Sequence, residues 1–212
     1  EEGAEFLSHI DGAKINLTPE VCVKNQVNLG VDIAMVLDDC TQYPVTYEDA
    51  AQSKQRSMRW AKRSKESWIQ RPGHGLFGIV QGSVYENLRN ESLDMLVDTG
   101  FDGYALGGLA VGETRKERID VIKAITSKLP SARPRYLMGV GKPQDIVSAV
   151  LNGIDMFDCV LPTRSGRTGQ AFTSRGSINI RNAAYANDPE PLDTEIPCSA
   201  SRDYSKAYIH HL

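Results

Sequence analysis

Val31-Asp32-Ile33-Ala34-Met35-Val36-Leu37 is apolar apart from Asp32 and runs straight into Asp38-Asp39-Cys40. A strand apolar on both faces belongs in a parallel sheet covered by helices, and acids at its end place polar groups at its mouth. From Thr46 to about Gln70 there is no Gly or Pro, and Tyr47, Ala51, Met58 and Ala61 recur near helical spacing. The spacing predicts a long helix, with Lys54, Arg56, Arg59, Lys62, Arg63 and Lys65 along a basic flank. Such a flank either solubilises the chain or meets an anionic partner.

The same alternation continues along the chain. Leu76 to Gln81 precedes a helical stretch carrying Leu88, Leu93, Leu96 and Val97, and Gly103 to Leu109 precedes one carrying Ile119, Ile122 and Ile125. Gly100 and Pro130 stop the two helices. Arg135 to Val140 leads into Lys142-Pro143 and a helix expected to turn Ile146, Val147 and Val150 inward, with Gly153 past its end. A fifth strand is expected over Ile154 to Leu161. Beyond it, Ala171 to Ile180 reads as a hairpin, Asn187 to Pro197 is rich in Pro and acids, and Tyr204 to Leu212 begins a helix.

Five successive βα units fit an α/β architecture, either a (β/α)8 TIM barrel or a doubly wound sheet, with the site at the carboxyl ends of the strands. Asp38, Gln81, Gly107-Gly108, Met138 and Asp158 each close one strand, and a barrel converges all five mouths, which favours the barrel. A complete barrel takes roughly 250 residues, so about five units make a partial one, with strands expected ahead of Glu1.

The 212 residues carry 24 Lys and Arg against 27 Asp and Glu, a net charge of −3, so attraction to nucleic acid must be local. The longest apolar run, Ile33 to Leu37, is far too short to span a bilayer, and no membrane partner is expected. The acidic opening Glu1-Glu2-Gly3-Ala4-Glu5 leads into no apolar segment, and four cysteines make no disulfide framework. The cytoplasm is the expected location.

Asp38 and Asp158 at strand ends suit a pair in which one holds a substrate and the other attacks it, although aspartates there also cap loops. Asp158 lies between Phe157 and Cys159 in an apolar stretch, where a carboxylate without a task is costly. Gly107 and Gly108, in Leu106-Gly107-Gly108-Leu109-Ala110-Val111-Gly112, let a backbone approach a ligand or simply make a turn. Gln81 supplies a donor and an acceptor, and Met138 suits either a flat ring or the core. Arg164 and Arg167, in a loop over Pro162 to Arg167, suit phosphates or solvent. Cys198 with His210 and His211 nearby invites a metal reading that one Cys without a partner does not support. Cys22 and Cys40 read as small buried fillers, and His9 and His74 carry no assignment.

The strings SHIDGAKINLTPE (8–20), LDDCTQYP (37–44), RSMRWAKRS (56–64), FGIVQGS (77–83), GFDGYALGGLAVGE (100–113), YLMGVGKP (136–143), GIDMFDCVLPTRSGRTGQAF (153–172) and AYIHHL (207–212) closely resemble the bacterial tRNA-guanine transglycosylases, or queuine tRNA-ribosyltransferases. The resemblance runs from Phe6 to Leu212. It implies a cytoplasmic, homodimeric (β/α)8 barrel with a zinc-binding insert. Such an enzyme exchanges guanine at wobble position 34 of tRNAs with GUN anticodons for the queuosine precursor preQ1. It further implies that Asp158 is the nucleophile attacking ribose C1′ and that Asp38 accepts from the N1–H and exocyclic amine of the base. Gln81 and the Gly108 N–H then donate to O6, the Leu109 carbonyl receives the aminomethyl group, Met138 lies under the ring, and Gly107 and Cys40 complete the pocket. Val111, where eukaryotic members carry Gly, implies preQ1 rather than queuine. Lys142, Arg164 and Arg167 match tRNA contacts.

Two departures stand out. The family's zinc ligands are CxCxxC and a later His, whereas Ile196-Pro197-Cys198-Ser199-Ala200-Ser201 keeps only Cys198, so a standard zinc site is not expected. The region supplying a general acid/base aspartate lies upstream of Glu1. The implied organisation is a partial catalytic barrel over 1–170 and a hairpin with a degenerate zinc-binding region over 171–212. Base exchange in tRNA, with this chain inactive by itself, is the leading expectation. A noncatalytic tRNA-binding homologue and a phosphate-binding metabolic barrel are the alternatives, and retention of both Asp38 and Asp158 argues against an inactive subunit.

Overall fold

The computed structural model describes residues 2–212, and the chain divides after Asp158 into two compact units. The first opens with an antiparallel hairpin, β1 (Ala4–Leu7) and β2 (Lys14–Leu17). Helix α1 (Pro19–Asn28) follows, with Pro19 in its first turn and the Thr18 hydroxyl accepting from the Val21 N–H. Then come β3 (Ile33–Met35), α2 (Tyr47–Ser67), β4 (Gly75–Val80), α3 (Glu86–Thr99), β5 (Gly103–Leu106), α4 (Arg115–Thr126), β6 (Arg135–Leu137), α5 (Pro143–Val150) and β7 (Met156–Phe157). The α2 and α4 helices begin at side-chain caps. Thr46 caps α2 by accepting from the Asp49 N–H, and Thr114 and Glu117 form a reciprocal capping box on α4.

The five strands β3-β4-β5-β6-β7 lie side by side in sequence order, all parallel, as a curled half-barrel sheet. Ala34, Leu76, Ile79, Val80, Ala105, Leu106 and Leu137 are almost wholly buried between this sheet and the helices. The apolar faces of the helices meet them through Met58 and Ala61 on α2, Leu93 and Leu96 on α3, and Ile122 and Ile125 on α4. Fully burying a side chain of this size contributes about 1.5–3 kcal/mol, and this layer is what holds the strand mouths in register.

Several boundaries and orientations differ from the sequence expectations. Val31 to Leu37 yields a strand only over β3, and β3 has β4 as its strand neighbour on one side alone. On the other side the Gln26 side chain of α1 donates from Nε2 to the Met35 carbonyl at 2.8 Å and accepts from the Met35 N–H at 2.8 Å. A primary amide thereby satisfies both main-chain groups of Met35 on that side. The run from Ile154 to Leu161 forms only the two-residue β7, because Pro162 suits a first helical turn and Leu161 already opens a helix. On α5, Val147 and Val150 are 60% and 54% exposed rather than inward, and Ala149 and Asp145 take the buried face. Val97 on α3 is likewise exposed.

The second unit begins with α6 (Leu161–Arg167), followed by the antiparallel hairpin β8 (Gln170–Thr173) and β9 (Gly176–Asn179), as expected for Ala171 to Ile180. The Pro- and acid-rich stretch is held without regular structure by Asp193, whose carboxylate accepts from the Ser174 N–H and hydroxyl and from the Glu195 N–H. Short helices α7 (Ser199–Arg202) and α8 (Lys206–His211) close the unit. Among the described residues no helix is long and apolar enough to cross a membrane.

Gln26→Leu keeps the bulk of the side chain and leaves both Met35 main-chain groups without this partner. A loss of about 1–3 kcal/mol in urea-induced unfolding is expected; an unchanged midpoint would show that the amide adds nothing to the sheet edge.

Candidate functional site

Because the five strands are parallel, their carboxyl ends share one edge of the sheet, and the sequence-predicted residues lie there in two groups. The first spans β3, β4 and β5. Gln81, 2% exposed, donates from Nε2 to Asp38 Oδ2 at 2.6 Å. Asp38 is half-buried, and desolvation pushes its carboxyl above the usual carboxylate range, against the Gln81 hydrogen bond and with help from the neighbouring Asp39 charge. Helix α2 holds the segment in place: the Ser53 hydroxyl donates to the Asp39 carbonyl, the Asp39 N–H donates to Ser57 Oγ, and Arg56 pairs with the Asp39 carboxylate at 2.6 Å. Part of the basic flank therefore has a structural task. Arg56 secures the acidic mouth, Lys54 is buried against Glu91, and Arg63 pairs with Glu20.

Glycine is required beneath this pair. A Cβ on Gly107 would come within 2.5 Å of Ile79 Cγ2 and 2.8 Å of Gln81 Nε2. Gly108 has a φ of +61°, and a Cβ there would overlap Gln81 Oε1. Partial desolvation and the charges of Asp38 and Asp39 push the Cys40 thiol up. Neither cysteine is the buried filler expected from composition, since Cys40 is exposed and Cys22 half-buried. Leu109 is buried, whereas Val111 is 40% exposed.

The loop beyond Leu109 is fixed from below. Glu113, buried, accepts from the Ala110 N–H at 2.7 Å and the Val111 N–H at 3.0 Å. Ala110 itself has a φ of +60°, unusual for a residue with a Cβ. Arg118 of α4 bridges Glu113 and the buried Asp145 of α5 at 2.7 and 3.1 Å, and Arg115 adds a second bond to Asp145. Burial raises the Glu113 carboxyl, but the Ala110 N–H and Arg118 outweigh it and leave it lowered. Neither Glu113 nor Arg118 carries a signal in sequence beyond ordinary helix-start chemistry.

The second group lies at β6 and β7. Asp158 accepts from the Tyr136 hydroxyl at 2.7 Å and from the Gly139 N–H at 2.7 Å. Both bonds fall on Oδ1, and Oδ2 accepts no hydrogen bond among the described residues. Asp158 is exposed, whereas burial is expected from its apolar neighbours, and its carboxylate is held by the Tyr136 hydroxyl and the Gly139 N–H rather than by apolar packing. Met138 is half-buried against the core and joins β5 through its N–H to the Leu106 carbonyl. Lys142 is exposed at the start of α5.

The remaining candidates belong to the second unit. Arg164 and Arg167 are exposed, and they stand on a helix, α6, rather than the loop expected. Three residues apart, they share one helix face. Cys198 is exposed at the start of α7, and the His210 ring nitrogen Nδ1 lies 2.7 Å from the Ile180 carbonyl.

The family profile described as TGT, queuine tRNA-ribosyltransferase, matches residues 1–212. Proteins named queuine tRNA-ribosyltransferase from Rickettsia rickettsii and Cereibacter sphaeroides are each 56% identical over all 212 residues, and one from Rickettsia africae is 55% identical. The chain belongs to the queuine tRNA-ribosyltransferase family. It spans 59% of the length of the two Rickettsia relatives and 56% of the Cereibacter one. For the zinc implied by resemblance to the queuine tRNA-ribosyltransferases, the residues present do not fit. Among the described residues no group of three or more His, Cys, Asp or Glu is placed to hold a metal, and Ile196 and Ser201 stand where a CxCxxC pattern centred on Cys198 needs its other two thiols.

Burial, then the hydrogen bond to Asp158 and its charge, push the Tyr136 phenol above its ordinary value. An unfolded tyrosine ionises near 10, so stability should fall as pH rises beyond about 10. Asp158→Asn should bring the phenol part of the way down, read from phenolate absorbance during titration, and should soften that loss. An unmoved titration would show that the contact is absent in solution.

Proposed function

We propose that this chain carries the base-exchange site of a tRNA-guanine transglycosylase, which replaces guanine at wobble position 34 of GUN-anticodon tRNAs with preQ1. The observation that supports this most strongly is the asymmetric carboxylate of Asp158. Two donors hold Oδ1, which fixes the group, and Oδ2 keeps its lone pairs for attack. In this reading Oδ2 forms a bond to ribose C1′ as the C1′–N9 bond breaks and its electron pair passes into the purine. The transition state resembles an oxocarbenium ion, as in retaining glycosidases. The departing guanine anion takes up a proton at N9, the incoming base gives up its own N9 proton and bonds to C1′, and the Asp158 carboxylate leaves, so the exchange is neutral in protons as in bonds. One glycosidic bond replaces another, so no energy-rich cofactor is needed.

The first group supplies the base pocket. Asp38, oriented by Gln81, accepts from N1–H and the exocyclic amine. The second Gln81 N–H and the Gly108 N–H donate to O6, Gly107 leaves room, the Leu109 carbonyl meets the aminomethyl group, Cys40 borders the pocket, and Met138 lies against the ring. Val111 limits the space beyond the 7-substituent, favouring preQ1 over queuine. Lys142, Arg164 and Arg167 contact tRNA phosphates. The reading also includes completion of the half-barrel to a (β/α)8 barrel, a catalytic barrel over 1–170 followed by a subdomain over 171–212, a homodimer, and a cytoplasmic setting. Activity is assigned to a protein of the relatives' length.

Incubating such a full-length protein with cognate tRNA should give a protein–RNA adduct that survives denaturant, and Asp158→Asn should abolish it with thermal stability retained. An adduct persisting in Asp158→Asn would remove Asp158 from the role. Asp38→Ala should weaken guanine binding by about tenfold or more, the effect of losing one charged partner at ~1.5–3 kcal/mol; normal binding by calorimetry would show the pocket misassigned.

A further inference from the structure

Arg89 is the largest side chain in the molecule with essentially no exposed surface. It stands on α3 beside Leu88 and shares a face with Leu93 and Leu96, where an apolar residue would be the ordinary choice. Its guanidinium donates to four main-chain carbonyls: Val80 at the end of β4 at 3.2 Å and Ser83 beyond it at 2.5 Å, then Gly107 at 2.9 Å and Gly108 at 3.3 Å beyond β5. No carboxylate pairs with it directly among the described residues. Burying an arginine without an ion-pair partner is costly, and the four carbonyls offset that cost by satisfying the donors.

We propose that Arg89 is a positioning residue of the base pocket, setting the direction and strength of the Gly108 N–H that recognises the 6-oxo group of the purine. The inference rests on the base-exchange reading above. Its argument starts from the peptide unit shared by Gly107 and Gly108. In a trans peptide the C=O and the N–H point in opposite directions. Arg89 grips the Gly107 C=O from within the protein, so the Gly108 N–H points the opposite way, away from the buried guanidinium. A donor bound to the carbonyl polarises the whole unit, so its N–H becomes a better donor.

That polarisation serves the step in which it is needed. As C1′–N9 breaks and Asp158 Oδ2 bonds to C1′, the departing pair spreads over the purine and partly onto O6. A donor aimed at O6 then binds more strongly than in the ground state. Desolvation lowers the Arg89 guanidinium to about 10, with the Glu113 charge opposing the shift, so the group stays protonated near neutral pH. Gly82 gives the side chain its path, since a Cβ there would meet the Arg89 Cγ at 3.0 Å and its N at 2.9 Å.

The test compares two inhibitors of tRNA exchange by the full-length protein: guanine, and 6-thioguanine, which keeps N1–H and the amine but replaces O6 with a weak acceptor. The unaltered enzyme should prefer guanine by about tenfold, the scale of one hydrogen bond. In Arg89→Lys, which keeps the charge but cannot span four carbonyls, that preference should shrink to about threefold or less. Asp38→Ala should weaken both inhibitors alike. An unaltered enzyme that treats the two alike defeats the base-site reading and, with it, this inference. Discrimination that survives in Arg89→Lys, with both inhibitors weakened equally, leaves Arg89 a purely structural residue and overturns the inference alone. The same question is answered without substitution by 15N-arginine labelling. The slowly exchanging Arg89 guanidinium signals should shift on adding guanine and shift less with 6-thioguanine, and equal or absent shifts would overturn the proposal.

Discussion

The hydrogen bond from Gln81 to Asp38 joins the mouths of two neighbouring strands, and most of the site is arranged to make it possible. It needs Gly107 and Gly108 on the next strand, because any side chain there would occupy the space of the Gln81 amide. It needs α2 to hold Asp39, since one residue of slack would carry Asp38 out of reach. Desolvation of Asp38 costs free energy when its carboxyl is charged, and the Gln81 donor recovers part of that cost. A carboxylate kept half-buried with one ready donor is disposed to accept two more, and the guanine edge of the proposed substrate offers two.

Around this pair, ion pairs and hydrogen bonds fix the loops beyond the core anchors Leu109 and Val140. Glu113 fixes two successive amides of the β5 loop, and Arg118 ties Glu113 to Asp145 in the first turn of α5. The loop before α5 supplies the Gly139 N–H that holds Asp158. One arginine thus links the element assigned to reading the base with the element that steadies the carboxylate assigned to attack. Ion pairs this deeply placed contribute modestly to net stability, but removing one partner leaves an uncompensated charge. Their value here lies in fixing geometry.

The sequence was most informative where chemistry and backbone coincide. The placing of Asp38, Gln81, Gly107 and Gly108 at neighbouring strand ends was legible from the βα alternation, whereas their residue types alone also suited loop caps and turns, and only the family resemblance separated the two. The α2, α3 and α4 helices were legible from apolar spacing. Other features depended on tertiary partners. Arg89 sits on an apolar helix face, a conflict visible in the spacing, yet its role depends on carbonyls from two distant loops. The exposure of Asp158 was misread because neighbouring apolar residues say nothing about which way a strand end turns. Arg164 and Arg167 read as a loop because Pro162, Ser165 and Gly166 resemble turn formers, whereas Pro in a first turn is compatible with a helix. Val147 and Val150 show that helical spacing identifies a stripe without saying what covers it.

The Gln26 amide on Met35 also bears on how the sheet edge behaves toward other polypeptide. An open parallel strand is a template onto which foreign chains add, and proteins usually blunt such edges with charge, bulges or proline. Here the cover is a side chain only nine residues away along the chain, so it can close as soon as α1 and β3 have emerged during synthesis. Any strand arriving at Met35 must displace two hydrogen bonds at once. Among the described residues, a side chain closes the β3 hydrogen-bonding groups at Met35 that another strand would otherwise meet.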